Sequence, residues 1–433
     1  MIGFKLQILW YLLLFRWQRR KHYNQKSLLQ LRATKENRWR KNLQKSPFYK
    51  ELSGQSLSQF PIMDKSSFMA HFDDINTVGI AKEEAFKVGL DSEKSRDFSP
   101  TIRGITIGLS SGTSGNRGIF LASQKERAIW VAAVLDRVIG FSLRKRKVAF
   151  FLRANSTLYE SVNSSILQFQ FYDIKCDMAQ HCQTVAATRP HILVGQPSVL
   201  MHIARYFEEK QIAARFEKVI SVAEVLENDQ KAYLEKVFKK RIEQVYQCTE
   251  GFLAHTCKAG FLHFNEDWLL IEKKYLDEEK KRFHPIITDF LRTTQPIIRY
   301  ELNDIIHEGV ACSCGLKTMQ IAKIEGRSDD VFEFDHAGKT ITIYPDFIRQ
   351  AVAFSSDVID NYVVTRRSEK KIGLFIEVSK GDFLNAYGKA ESALQSLFEI
   401  FGIPGITIIR EEAQLLQKGV KFKRIRNESN QTI

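Results

Sequence analysis

Leu109-Ser110-Ser111-Gly112-Thr113-Ser114-Gly115-Asn116-Arg117-Gly118 follows a β-like run, Ile102–Ile107, and precedes a helix-like run, Glu126–Ile139. Three glycines among short hydroxyl residues pack poorly, but they let backbone N–H groups approach an oxygen closely. Hydroxyls add neutral donors and a helix N-terminus adds its dipole, so phosphate is the natural occupant. The stretch is not the Walker pattern, because no Gly-Lys-Ser/Thr ends it. Downstream, apolar strands alternate with helical segments: strand Val148–Leu152, helix Tyr159–Phe169, strand Ile192–Val194, helix Ser198–Glu209, strand Lys218–Val222 and helix Asp229–Phe238. That βαβ rhythm predicts an α/β fold in which helices cover a mixed or parallel sheet.

The 433 residues exceed one ordinary domain, and 44% apolar with 26% charged residues describe a globular chain. The net charge of +14 is localised: residues 1–50 hold 13 Lys/Arg against the single acid Glu36. A basic end on an otherwise near-neutral chain argues against a nucleic-acid partner. Leu6–Phe15, mostly apolar, is far shorter than the ~20 residues that span a bilayer. Trp17 and Arg16, Arg19 and Arg20 follow it where a secretory signal would place a small-residue cleavage site. Two readings stay open: an interfacial helix on an anionic membrane, or a helix packed on the main domain with its charges solvated. Six cysteines without a signal peptide point to reduced thiols and a cytoplasmic protein, soluble or peripheral on the inner membrane face.

Cys257-x5-His263 and Cys312-x-Cys314 lie about fifty residues apart, each beside a glycine, Gly260 and Gly315. Three thiolates and an imidazole form a closed tetrahedral set for structural Zn2+. Buried free thiols are the alternative. Tyr246-Gln247-Cys248-Thr249-Glu250-Gly251 ends a strand with a hydroxyl and a carboxylate, a group able to hold Mg2+ against nucleotide phosphates.

Taken in order, these segments resemble the adenylate-forming superfamily of acyl-CoA synthetases and ligases. They lie closest to phenylacetate–CoA ligase-like proteins and to synthetases that adenylylate a deazaflavin coenzyme. The glycine-rich stretch is similar to the family's phosphate loop, with Ser114 for a threonine and Arg117-Gly118 for Pro-Lys. Ser46-Pro47-Phe48-Tyr49 and Phe60-Pro61-Ile62-Met63-Asp64-Lys65 look like the opening of the phenylacetate branch. Ala223-Glu224-Val225-Leu226, Tyr246–Gly251, Arg299–Asp304 and Gly326-Arg327-Ser328-Asp329-Asp330 look like its later motifs, and the Cys/His pattern is similar too.

The resemblance implies a large N-terminal domain (46–327) behind the basic segment 1–45, and a small mobile α+β domain (328–433). It implies ATP, converted to AMP, held by Ser110, Ser111, Gly112, Thr113, Ser114 and Gly115. Ala223 and Glu224 would border adenine, Tyr246 stack on it, Asp304 take the ribose hydroxyls, and Arg327 reach ribose or phosphate. Thr249 would meet the α-phosphate, Glu250 hold Mg2+, and Lys421, or Lys423 in its stead, neutralise charge at the reacting carboxylate. The implied activity is conversion of a small carboxylic acid to an acyl-adenylate, then transfer to CoA or a carrier-protein thiol. Two further outcomes stay open: transfer of AMP to a hydroxyl, or nucleotide binding without turnover.

Overall fold

In the computed structural model the described residues are 2–21, 24–110, 117–140, 142, 144–152, 163, 166–174, 176–336, 339–378, 381–412 and 422–429. The chain divides into two compact units, one of residues 1–302 with 306–323, the other of 303–305 with 324–433.

The first unit is built on a large sheet whose N-terminal half is parallel. Its strands run Leu167–Asp173, Arg146–Leu152, Ile192–Gly195, Lys218–Ser221 and Ile242–Cys248 across the sheet. In chain order this is 2-1-3-4-5, a doubly wound arrangement. The helices Met178–Thr188, Pro197–Glu209 and Asn228–Phe238 lie between successive strands in sequence, as parallel pairing requires of its crossovers. Ile192–Gly195 is buried throughout, the mark of a strand covered on both faces. Helix Pro197–Glu209 turns Val199, Leu200, Ile203, Ala204 and Phe207 onto this layer at helical spacing.

From Ile242–Cys248 the sheet continues antiparallel through Gly251–Thr256 and Leu262–Phe264. Beyond these come Gln320–Arg327, Asp304–Glu308, Arg282–Asp289 and Leu269–Tyr275, with Ile297–Glu301 also on Arg282–Asp289. A separate three-stranded antiparallel sheet, Thr101–Ile102, Ile105–Leu109 and Ile119–Ala122, carries the glycine-rich stretch.

One expectation is corrected at its described end. Leu167–Phe169, read as the close of a helix, opens the strand Leu167–Asp173. Leu167, Phe169 and Phe171 alternate with Gln168 and Gln170, a period of two that no helix accommodates. Helix Gln124–Val134 continues as a π-helical turn, Leu135–Ile139, and stops at Gly140, whose φ is 76°. The helix after Lys218–Ser221 begins at Asn228 with Glu227 as its cap, so Ala223–Leu226 forms a turn before it.

The second unit holds a hairpin, Phe332–His336 with Lys339–Ile343. Its other sheet has the order Thr407–Arg410, Lys371–Glu377, Asn361–Arg366, Ile425–Asn427. Helix Phe383–Ile400 packs Ala386, Ala390, Leu394 and Phe398 into a core with Phe334, Val364 and Leu374.

Candidate active site

Parallel sheets gather loops at the carboxyl ends of their strands, and ligands bind there, beside the position where the strand order reverses. In this chain the reversal lies between Arg146–Leu152 and Ile192–Gly195. At the same edge, Lys218–Ser221 leads to Ala223-Glu224 and Ile242–Cys248 leads to Thr249-Glu250. The sheet therefore brings together two segments that the sequence singles out separately.

Ala223 has a φ of 68°, a left-handed turn unusual for a residue with a Cβ. The next residue, Glu224, accepts the Ser198 N–H at 3.3 Å, so its carboxylate caps helix Pro197–Glu209. Tyr246 is buried with its ring edge-on to Phe264, centroids 6.3 Å apart. A bulge between Tyr246 and Gln247 re-aims the strand end. Beyond it Glu250 accepts the Thr249 hydroxyl at 2.9 Å. Burial first, then the Glu250 carboxylate, pushes the Tyr300 phenol well above its ordinary range. The Thr249 hydroxyl thus orients the carboxylate, an arrangement suited to a hard divalent cation.

Ser110 and Gly118 close the base of the glycine-rich stretch. Ser110 N–H donates to Gly118 O at 2.8 Å and Gly118 N–H donates to Ser110 Oγ at 2.7 Å. Ser111, Gly112, Thr113, Ser114 and Gly115 lie outside the described residues. Arg117, in the family's Pro-Lys position, is held by Glu93 at 2.5 Å and by Ser110 O at 3.2 Å. A second cation comes from elsewhere: a Cβ on Gly118 would stand 3.4 Å from Lys65 Cε. Two residues earlier the backbone is anchored, because Met63 bridges to the strand Ile297–Glu301, donating to Arg299 O at 3.0 Å and accepting from Glu301 N at 2.8 Å.

What couples the glycine-rich hairpin to Glu250 is the segment Asp289–Gln295. Arg292 donates from Nη2 to Leu121 O at 3.1 Å, on the hairpin, and from Nη1 to Thr249 O at 3.3 Å. Gln295 pairs with the same hairpin strand, accepting Leu121 N–H at 2.9 Å and donating to Ile119 O at 3.1 Å. Glu126, in a capping box with Ser123, accepts Thr293 N–H at 2.6 Å and Thr294 N–H at 2.9 Å. Burial pushes the Glu126 carboxyl up, but Arg292 and hydrogen bonds from Thr294 and Ser123 hold it below its ordinary value. Asp289 is pushed by burial up to about 6, against Leu291 N–H and Arg292. A Cβ on Gly251 would meet Asp289 Oδ2 at 3.0 Å, which is why glycine follows Thr249-Glu250. Sequence reading placed Lys65 only in an opening motif and missed Glu126, Asp289, Arg292 and Gln295; the legible signal was Ser123-Gln124-Lys125-Glu126, a capping box.

In the second unit Arg327 Nε meets Asp304 Oδ1 at 3.3 Å. Asn303 holds Asp329 at 2.9 Å, and Lys423 Nζ pairs with Asp330 Oδ1 at 2.7 Å. Burial pushes Asp330 up while Lys423 pulls it down. Lys421 lies outside the described residues.

The ligand atoms of Cys257, His263, Cys312 and Cys314 lie within 4.8 Å of one another. A tetrahedral ion with sulfur at about 2.3 Å and nitrogen at about 2.0–2.1 Å has S···S edges of about 3.8 Å and S···N edges of about 3.6 Å. Cys257 Sγ is 3.8 Å from Cys312 Sγ, and Cys314 Sγ is 3.6 Å from His263 Nε2. His263 Nδ1–H donates to Thr318 O at 3.0 Å, leaving Nε2 to face the sulfurs, the outer hydrogen bond a metal-bound imidazole needs. Leu316 N–H reaches Cys314 Sγ at 3.3 Å and Cys314 N–H reaches Cys312 Sγ at 3.4 Å. Among the described residues this is the one such Cys/His/acid cluster. Cys182 is buried in the core, its thiol pushed by burial up to about 11, and Cys176 is exposed.

No family model matches the chain. It is 22% identical over 316 residues to indoleacetate–lysine synthetase of Pseudomonas savastanoi, covering 68% of this chain and 76% of that protein. It is likewise 22% identical over 374 residues to protein CapK of Staphylococcus aureus, covering 81% and 76%. Among solved structures, 2-hydroxyisobutyryl-CoA ligase in its postadenylation state superposes with a TM-score of 0.66 at 15% identity, over 92% of this chain and 90% of that one. A fatty acyl-adenylate ligase structure gives 0.52 at 12% identity, over 73% and 68%. The chain therefore has the fold of the adenylate-forming ligases, and the resemblance carried by its motifs is borne out at that level. Its likeness spans both units of the ligase architecture.

Proposed function

We propose that this chain is an ATP-dependent, phenylacetate–CoA ligase-like enzyme that activates a small carboxylic acid. A carboxylate oxygen attacks the α-phosphorus of ATP, the α–β phosphoanhydride bond breaks, and pyrophosphate leaves an acyl-adenylate. A nucleophile then attacks the acyl carbon and AMP departs. One observation carries the reading: Arg292 ties the glycine-rich hairpin to Thr249 O, beside a Glu250 carboxylate that accepts the Thr249 hydroxyl. Phosphate donors and a cation-binding carboxylate so coupled suit charge stabilisation on a transferring phosphoryl group.

Glu250 would hold Mg2+, which, when bound, neutralises phosphate charge. Lys65 and the glycine-rich stretch would cradle the phosphates, Ala223 and Tyr246 border the base, and Asp304 and Arg327 take the ribose. Lys421 would offset charge at the reacting carboxylate; the pairing of Lys423 with Asp330 supports Lys421 over Lys423 in that role. Cys257, His263, Cys312 and Cys314 would hold structural Zn2+, whose tetrahedral edges match the spacings above.

The acceptor is CoA or a carrier-protein thiol, in keeping with the CoA ligase that shares the fold. The test is pyrophosphate release from MgATP against a panel of aryl, fatty and amino acids, followed by addition of CoA, lysine or hydroxylamine. Acid-dependent release that Glu250→Gln and Lys421→Ala abolish supports the reading, and CoA-dependent AMP release assigns the acceptor. Release driven by a hydroxyl compound and no acid, or tight nucleotide binding with no release, overturns it.

A further inference from the structure

Helix Ile2–Lys21 carries two apolar faces, and the fold uses one. Ile8, Leu12 and Phe15 are buried. They sit on the side where the helix packs along Gln124–Val134, and Phe15 meets Trp268 with ring centroids 5.5 Å apart. Arg19 pins the same side through Asp136 at 2.8 Å, and Lys5 Nζ reaches Asn163 O at 3.1 Å. On the other side Leu6, Leu9, Trp10, Leu13 and Trp17 are 48% to 64% exposed. With 3.6 residues per turn these five fall within an arc of about 100°. A contiguous apolar stripe with two tryptophans is more than a solvated surface ordinarily carries, and it marks an interaction face.

We propose that this stripe seats the protein on an anionic lipid bilayer, with the helix lying in the interface plane. Charge decides the occupant. Residues 1–50 hold 13 Lys/Arg against Glu36 alone, and the following helix, Gln25–Leu43, exposes Lys26, Arg38 and Lys41. Another copy of so basic a segment would be repelled, whereas acidic headgroups complement it. Trp10 and Trp17 stand two turns apart on the stripe; indole rings settle at the headgroup level, where one edge is apolar and the other wet. No described helix is long and apolar enough to cross a membrane, and the buried face keeps this one attached to the first unit. The contact is therefore one-sided and reversible.

The test uses the full chain with sedimented vesicles of phosphatidylcholine, alone or mixed with phosphatidylglycerol, and reads bound protein and tryptophan emission. The expected result is binding to the mixed vesicles only, weakened by high salt, with a blue shift from Trp10 and Trp17. The double variant Trp10→Ser/Trp17→Ser, which alters only exposed side chains, should keep its melting temperature and bind at least ~10-fold more weakly. Lys26→Glu with Lys41→Glu should reduce binding while leaving the blue shift of the residual bound fraction. Absence of binding to mixed vesicles, or equal binding by the double variant, overturns the proposal. A concentration-dependent dimer that the double variant abolishes would assign the stripe to a second copy and overturn it too. None of these readouts depends on ligase activity.

Discussion

Replacing Arg292 by lysine keeps a positive charge beside Glu126 and Asp289 but removes the fork that spans two backbone carbonyls. Arg292 reaches Leu121 O at 3.1 Å through Nη2 and Thr249 O at 3.3 Å through Nη1. One ammonium cannot occupy both positions, so at least one charge-assisted bond is lost, worth about 1.5–3 kcal/mol of stability. The larger effect falls on chemistry. With the strut gone, Glu250 and the glycine-rich hairpin are no longer held in common register, and a misplacement of about 1 Å costs on the order of 100-fold in rate. The expected phenotype of Arg292→Lys is a 10- to 100-fold fall in kcat for acid-dependent pyrophosphate release, on the same reasoning, with a small change in KM for ATP and a folded protein by circular dichroism. Arg292→Met should be worse in both respects, because it also removes a cation from beside Glu126 and Asp289. If Arg292→Lys released pyrophosphate at the wild-type rate, the coupling assigned to this segment would be wrong.

Chelation should release zinc from the Cys257, His263, Cys312 and Cys314 cluster and lower thermal stability by several kcal/mol. Cys312→Ser should reproduce that loss without chelator, and metal analysis that finds no zinc in protein purified under reducing conditions would count against the site. Burial first, then the Arg137 charge, lowers His255 to about 3. Its stabilising contribution, full above pH ~6.5, is lost as pH falls through that value, reaching about 2 kcal/mol at pH 5. Asp289, raised to about 6, works in the opposite sense and gains stability as pH falls through that value. The difference in melting temperature between wild type and His255→Gln across pH 7 to 5 isolates the histidine, and parallel curves would refute the assignment. Lys423→Ala should destabilise the second unit by about 3–5 kcal/mol, by leaving Asp330 buried without its hydrogen-bonded partner. Lys421→Ala should abolish adenylation at an unchanged melting temperature; the reverse pattern would move the catalytic role to Lys423.

The parallel half of the sheet was legible because its strands are short apolar runs between turn residues. Ile192–Gly195 and Lys218–Ser221 fall within a residue of where pattern alone puts them. Leu167–Phe169 misled because aromatic spacing suits either period until the intervening Gln168 and Gln170 are weighed. Thr249-Glu250 could be singled out only through its place in the order of motifs, since a hydroxyl and a carboxylate at a strand end mean little alone. Its supports could not. Glu126 and Thr294 are 168 positions apart, and Asp289–Gln295 looks like any polar connection until folding aims it at two other segments. Tyr300 gave no local sign that Glu250 would act on its phenol.

This division has a common physical cause. A residue that contacts ligand must lie at a strand end or on a loop, where glycine, hydroxyl and acidic residues interrupt the apolar pattern and so betray the position. A residue that holds such a loop in place needs only one donor or acceptor aimed inward, and its neighbours obey the ordinary rules of caps and turns. Glu126 illustrates the point: as the third residue of its helix it completes a capping box, and its other oxygen organises Thr293 and Thr294. Local and distant demands fall on one carboxylate. Glu126→Gln would therefore disturb a helix end and the site's scaffold together, whereas Ser123→Ala would disturb chiefly the helix end. The contrast between the two, read as kcat against melting temperature, separates capping from site assembly more cleanly than either alone.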